Sequence, residues 1–245
     1  MKKTLLFFAA FFALQFAAQA QLGDLAKKAQ SAKDKVMGSD LSQTEIGNGL
    51  KEALNEGVGA ASDFLSAKDG YFKSPYKIFL PDEARKVTAK LQGVPGFQNA
   101  EAEITERMNR AAEDAATKAK PIFLAAIKKM SFQDAMNILM GNPDAATRYL
   151  EKNTYQALYD EFKPIIQASL DKVKAREYWR SAVTAYNKLP LVTPTNPELD
   201  DHVTKMALIG LFHLVEKKEK DIRSNPKLRS TDLLQKVFAK QDKKN

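Results

Sequence analysis

The sequence predicts an all-α protein: a single multi-helix, bundle-like domain. Three observations carry this. Apolar residues return at three- and four-residue spacing over most of the chain. Helix starts recur in the form of capping boxes and Asn-Pro or Pro-Asp pairs, and glycines or prolines stand where the apolar stripes end.

The N-terminus is excluded from that domain. Met1-Lys2-Lys3, an apolar run from Leu5 to Phe16 and Ala18-Gln19-Ala20 form a charged, an apolar and a small-residue cleavage region in the order of a secretory signal. The run is shorter than the roughly 20 residues that span a bilayer, which argues against a retained anchor. Cleavage near Ala20 leaves a mature chain of about 225 residues starting at Gln21 and predicts a periplasmic, or extracellular, location. Residues 21–40 are Lys- and Ala-rich with weak amphipathicity and read as a flexible or marginally helical lead.

Ser42-Gln43-Thr44-Glu45 is a capping box, and Ile46, Leu50, Leu54, Val58, Ala61 and Leu65 follow it as one stripe towards Gly70. Gly47, Gly49, Gly57 and Gly59 inside that stripe imply either close neighbouring helices or a weaker segment. Pro75 and Pro81 bound Tyr76–Leu80, the best strand candidate. Leu189–Pro194 is a second extended piece, and the two can pair as one short edge ribbon. Pro81-Asp82-Glu83 opens a helix with Ala84, Val87 and Leu91 buried and Gly93 beyond its end. An Ala-rich helix runs from Ala100 to about Lys118, with Ile104, Met108, Ala111, Ala112, Ala115 and Ala116 facing neighbours, and Pro121 breaks the pattern before Ile122–Met130.

Ser131 to Asp134 caps a helix that ends at Gly141. Asn142-Pro143-Asp144 starts the next, and Thr154 another, with Leu158, Phe162, Ile165 and Leu170 and a bend at Pro164. Arg176 to Asn187 presents Trp179, Val183 and Tyr186. Asn196-Pro197-Glu198 caps a long helix through Val215, and Ser230-Thr231-Asp232 caps a short one with Leu233, Leu234, Val237 and Phe238. These elements predict one domain over residues 41–240, followed by a basic tail at 241–245.

The chain has no cysteine, so disulfides, thiol catalysis and Cys-ligated metals are excluded, as is a lipid anchor on an N-terminal Cys. Met206 to Val215 is too short for a membrane span and reads as a buried core helix, so no transmembrane segment is expected in the mature chain. The formal charge of +8 falls to about +6 once Lys2 and Lys3 leave. The excess gathers in Lys217, Lys218, Lys220, Lys236, Lys240, Lys243 and Lys244. Glu216-Lys217-Lys218-Glu219-Lys220 alternates in sign as a solvated helix face does; the alternative is peripheral contact with an anionic membrane surface or a glycan. Nucleic acid is not expected as a partner of an exported protein.

Leu80-Pro81-Asp82-Glu83-Ala84-Arg85-Lys86, Met108-Asn109-Arg110-Ala111-Ala112-Glu113-Asp114-Ala115-Ala116, Lys118-Ala119-Lys120-Pro121-Ile122, Asp144-Ala145-Ala146-Thr147 and Asn196-Pro197-Glu198-Leu199-Asp200-Asp201 form a specific set. On these segments the chain resembles the bacterial family called domain of unknown function 4197, from about Leu41 to Phe238. The resemblance implies an exported bacterial protein and brings no activity, cofactor or catalytic residue with it.

Few residues are placed for chemistry. His202 and His213 lie eleven positions apart, about 16 Å along one helix, too far to share a metal ion. Asp200, Asp201 and His202 stand in a first helical turn, where the acids suit the positive dipole end; the alternative is a carboxylate–His or metal role. His213 reads as a core or semi-buried packing residue. Arg110, Glu113 and Asp114 share a patch by i,i+3 and i,i+4 spacing, either as a salt bridge within the helix or as a polar site in an apolar bundle. Tyr178 and Trp179 read as core, or as a stacking platform for a sugar or base. Phosphate-cradling, dinucleotide and nucleophile-elbow motifs are absent, and no cofactor or metal is expected. The leading reading is a non-catalytic envelope protein that binds a small apolar ligand or a protein partner. The alternatives are a hydrolase or lyase built on Arg110, Glu113 and Asp114, and surface association through the C-terminal lysines.

Overall fold

The computed structural model describes residues 42–172, 174–194 and 198–242. The predicted signal region, lead and cap at Asn196-Pro197, together with most of the basic tail, lie outside them. Among the described residues the architecture is all-α: α1 (Gln43–Ser66), α2 (Asp82–Leu91), α3 (Ala100–Ala116), α4 (Ala119–Lys129), α5 (Phe132–Leu139), α6 (Ala145–Lys172), α7 (Ala175–Asn187), α8 (Asp200–Ser224) and α9 (Asp232–Asp242), with a 3₁₀ turn at Pro226–Leu228.

The helices from Gln43 onward form one compact unit. Helix α8 packs along α6 and α1, α3 packs along α6, and α1 also meets α4, α5 and α9, while α2 and α7 pair on a flank. The core sits where the apolar stripes meet: Leu50, Val58 and Leu65 of α1, Ile104 and Met108 of α3, Leu158 and Phe162 of α6, and Val203, Leu208 and Leu211 of α8 are all buried, while on α6 it is Ile166 that faces inward in place of the expected Ile165, which is half-buried. Each large apolar side chain so buried contributes about 1.5–3 kcal/mol. Ala111, Ala112, Ala115 and Ala116 are fully buried, so α3 approaches its neighbours along a surface of methyl groups. Phe123, Phe212 and Tyr155 interlock at ring separations of 5.6 and 6.4 Å.

Several boundaries differ from the sequence reading. No ribbon forms among the described residues; Tyr76 lies in a turn, Lys77–Leu80 has no regular structure, and Ile78 bonds to a side chain rather than to a strand. Leu189–Pro194 meets no strand, and Leu191 stands fully exposed with φ 63°. Pro121 falls in the first turn of α4, where its missing N–H has no intrahelical role, so the break lies earlier, at Thr117-Lys118. The two helices expected at Asn142 and Thr154 are one. Helix α6 runs through Pro164 because Leu158, Phe162 and Ile166 continue a single buried stripe across it while Pro164 itself faces solvent. The Ser131 cap forms as read: its hydroxyl accepts from the Asp134 N–H, and Asp134 returns a bond to the Ser131 N–H. The Ser131 hydroxyl also donates to the Asp134 carboxylate at 2.6 Å, and this bond, then the one from the Ser131 N–H, holds the Asp134 carboxyl below the usual range.

The α1 glycines divide. A Cβ at Gly49 would stand 2.5 Å from Val237 Cγ2, so this glycine lets α9 lie close on α1. At Gly57 the nearest neighbour would be 3.8 Å away, and no close approach requires the glycine.

Candidate functional site

The predicted polar cluster on α3 organises a strap, residues 67–81, that joins α1 to α2. Glu113 is 5% exposed. Its Oε1 accepts from the Tyr71 and Phe72 N–H groups at 3.2 and 3.1 Å, and its Oε2 accepts from Arg110 Nη1 at 2.8 Å. Arg110 reaches on to Asp69 at 2.8 Å and Glu106 at 3.3 Å, and its guanidinium lies 5.0 Å over the Phe72 ring. The bond from Arg110 holds the Asp69 carboxyl below its ordinary range. Asp69 has φ 71°, the left-handed bend that turns the chain from α1 into the strap. Tyr71 is buried and donates its phenol to the Ala207 carbonyl at 2.8 Å; burial, reinforced by the Glu113 charge, pushes that phenol well above the usual tyrosine range. One turn earlier on α3, Asn109 accepts from the Ile78 N–H and donates to the Ile78 carbonyl, both at 2.8 Å. The amide thus supplies both bonds that a neighbouring strand would have made.

Asp114 does not join this cluster. It points to the other side of α3 and pairs with Ser169 of α6. Asp200, Asp201 and His202 likewise diverge. Asp200 is buried against Gln167, Asp201 pairs with Tyr159 and with Lys205 at 2.8 Å, and His202 Nε2 meets the Phe79 carbonyl at 2.9 Å. The bond from Lys205, then that from Tyr159, lowers the Asp201 carboxyl. Trp179 is core, so it presents no face to an external ring. Tyr178 is half-buried beside Phe97, with Arg107 over its ring at 5.4 Å. His213 is exposed rather than packed inside, with the Tyr76 ring edge-on at 5.8 Å. No group of three or more His, Asp and Glu side chains among the described residues is placed to hold a metal ion.

The solvated-face reading of Glu216 to Lys220 fails at Glu219, which is 8% exposed. Its carboxylate accepts from the Ala146 N–H (2.9 Å), the Thr147 N–H (2.8 Å) and the Thr147 hydroxyl (2.7 Å). It therefore caps the first turn of α6. Arg223, one turn on and 4% exposed, bonds Glu219 at 2.8 Å and donates to the Ile138 and Leu139 carbonyls at 2.8 and 3.1 Å. The anion meets the positive end of α6 and the cation the negative end of α5, the arrangement helix dipoles favour. Arg229, also buried, binds Asp242 at 2.6 Å and shares the Phe238 ring with Arg223. The sequence carried a signal: Glu219 and Ile222 continue the apolar stripe of Leu208, Leu211 and Val215, so Glu219 lies on the inward side. Two of the lysines are paired at the surface, Lys217 with Asp221 and Lys220 with Glu216.

Between α4 and α6 lies a groove of about 630 Å³. Pro121, Ile122, Ala125 and Ala126 of α4 and Ala157 of α6 give it apolar walls; Lys129, Tyr149, Asn153, Asp160 and Glu161 supply the polar lining. The space exists because alanines stand where larger side chains would fill it. No described helix is long and apolar enough to cross a membrane.

A family model described as "Protein of unknown function (DUF4197)" matches residues 40–239. No curated protein and no solved structure matches the chain.

Proposed function

The chain belongs to the DUF4197 family, and on that footing we propose that it is an exported, non-catalytic binding protein of the bacterial envelope whose α4–α6 groove takes a small apolar ligand. The groove carries the reading. Its volume of about 630 Å³ falls within the roughly 300–1,000 Å³ of small-molecule sites, and its apolar floor of Pro121, Ile122, Ala125, Ala126 and Ala157 supports an apolar ligand whose polar end the surrounding polar and charged side chains can meet. The commitments of the polar cluster support this reading over acid–base chemistry: one Glu113 oxygen holds the strap amides, the other accepts from Arg110, and Asp114 is bonded to another helix. Export rests on the three-part N-terminal pattern.

The test is native mass spectrometry of protein purified from the periplasm, beside an Ala126→Phe, Ala157→Leu variant that fills the groove. The expected result is a mature chain beginning at Gln21, a co-purifying apolar mass, and loss of that mass in the variant at unchanged helicity. Retention of residues 1–20, absence of any bound species, or undiminished binding by the filled variant would overturn the proposal.

A further inference from the structure

The α4–α6 groove is polarised along its length. Two sets of contacts fix how its helices run. Phe212 of α8 meets Phe123 of α4 and Tyr155 of α6 at ring separations of 5.6 and 6.4 Å, so those two residues stand at one level. Tyr149 reaches the Asp134 carboxylate at 3.5 Å, and Asp134 closes the cap with Ser131, two residues beyond Lys129. Tyr149 therefore lies at the Lys129 end, Asp160 and Glu161 lie at the Pro121 end, and α4 and α6 are antiparallel. The groove has an ammonium at one end and two carboxylates at the other. Tyr149 and Asp160 are eleven residues apart, about 16 Å along α6. Among the described residues no ion pair takes up Lys129, Asp160 or Glu161; Asp160 accepts from the Gln156 amide at 2.8 Å.

The groove is also polarised across its width. Between Pro121 and Ala126 the α4 wall offers no hydrogen-bonding side chain. The α6 wall offers the Tyr149 phenol and the Asn153 amide, whose Nδ2 donates to the Tyr149 carbonyl at 2.7 Å and whose Oδ1 has no donor among the described residues. An occupant that complements both walls carries hydrocarbon towards α4 and N–H donors towards α6. One that complements both ends carries a positive charge at one end and a negative charge at the other. A simple acyl chain answers one end only and presents hydrocarbon to Asn153. A peptide with free termini has all four features: an ammonium, a carboxylate, backbone N–H groups and apolar side chains. Successive side chains of an extended peptide point to opposite faces, so every second one rests on the apolar floor. At about 3.3 Å per residue, four or five residues span the distance between the charged ends.

Resting on the assignment of this groove as the ligand site, we infer that its ligand is a short apolar peptide of four or five residues with free termini. Its ammonium lies beside Asp160 and Glu161 and its carboxylate at Lys129.

The full mature chain is titrated calorimetrically at low salt with an alanine–leucine pentapeptide in free, N-acetylated, C-amidated and doubly blocked forms, and with decanoate as a probe charged at one end. The free peptide should bind tightest. Each terminal block should weaken binding about two- to fivefold, the worth of one exposed ion pair. Lys129→Gln should abolish the effect of amidation and keep that of acetylation, and the double change Asp160→Asn, Glu161→Gln should do the reverse, both at unchanged helicity. Equal binding of the free and doubly blocked peptides, or an amidation penalty undiminished in Lys129→Gln, would overturn the inference. Binding of decanoate but of no peptide, lost in the Ala126→Phe, Ala157→Leu variant, would overturn it while leaving the groove a site for an apolar ligand. Binding of neither probe would remove the groove as a ligand site altogether.

Discussion

Replacing Glu219 by alanine tests the central buried contact of the fold. The substitution leaves the Arg223 guanidinium, 4% exposed, without its carboxylate, and leaves the Ala146 and Thr147 N–H groups and the Thr147 hydroxyl without their acceptor. Removing one partner of a buried ion pair costs about 3–5 kcal/mol, because the remaining charge stays desolvated. Against a total stability of roughly 5–15 kcal/mol, that is a large share. Urea unfolding followed by far-ultraviolet dichroism should show the loss as a lower midpoint at unchanged slope, and thermal unfolding as a fall in Tm of about 6–20 °C. Asp221→Ala, two residues on, is the control: its ion pair with Lys217 lies at the surface, and removing it should cost about 0–1 kcal/mol. Combining Glu219→Ala with Arg223→Ala should cost less than the sum of the two single changes, since the second removes the stranded charge. A loss in Glu219→Ala no greater than in Asp221→Ala would refute the assignment of this pair as the link between α5, α6 and α8.

The α1 glycines give a contrast of opposite signs. Gly57→Ala should raise the urea midpoint by the equivalent of about 0.5–1 kcal/mol, whereas Gly49→Ala should lower it, because its methyl would collide with Val237 of α9. Attachment of α9 should also weaken in acid. The bond from Arg229 holds the Asp242 carboxyl below its ordinary range, so this contribution is complete above the unfolded carboxyl's titration range and is lost as pH falls through the folded one. Hydrogen exchange in α9 should accelerate below about pH 4 in the wild type and be fast already at neutral pH in Asp242→Asn; equal pH dependence in the two would contradict the assignment.

Much of the candidate chemistry was legible only as spacing. Arg110 and Glu113 were visible as an i,i+3 pair, but Asp69, which completes the pairing, lies 41 residues away from Arg110. Asp114 has the same spacing logic and a different outcome, because Ser169 of α6 lies within its reach. The α4–α6 groove left no sequence mark at all. Ala125, Ala126 and Ala157 read as small helix formers, and only the placement of two helices shows what their size leaves open.

What the sequence determined by itself is the set of helices and most of their limits, because helix period, capping and proline geometry act within a few residues. Ser131 and Asp134 close their box across three positions, and the stripe from Ile46 to Leu65 is complete within α1. The tertiary structure decided which polar side chains enter the interior and what they hold there. Glu219 reaches Thr147 across 72 positions, Tyr71 reaches Ala207 across 136, and Asn109 takes the place of a strand for Ile78. A buried polar group is tolerated only where its partner is delivered to bonding distance, and that delivery depends on how the helices pack rather than on any local run of residues.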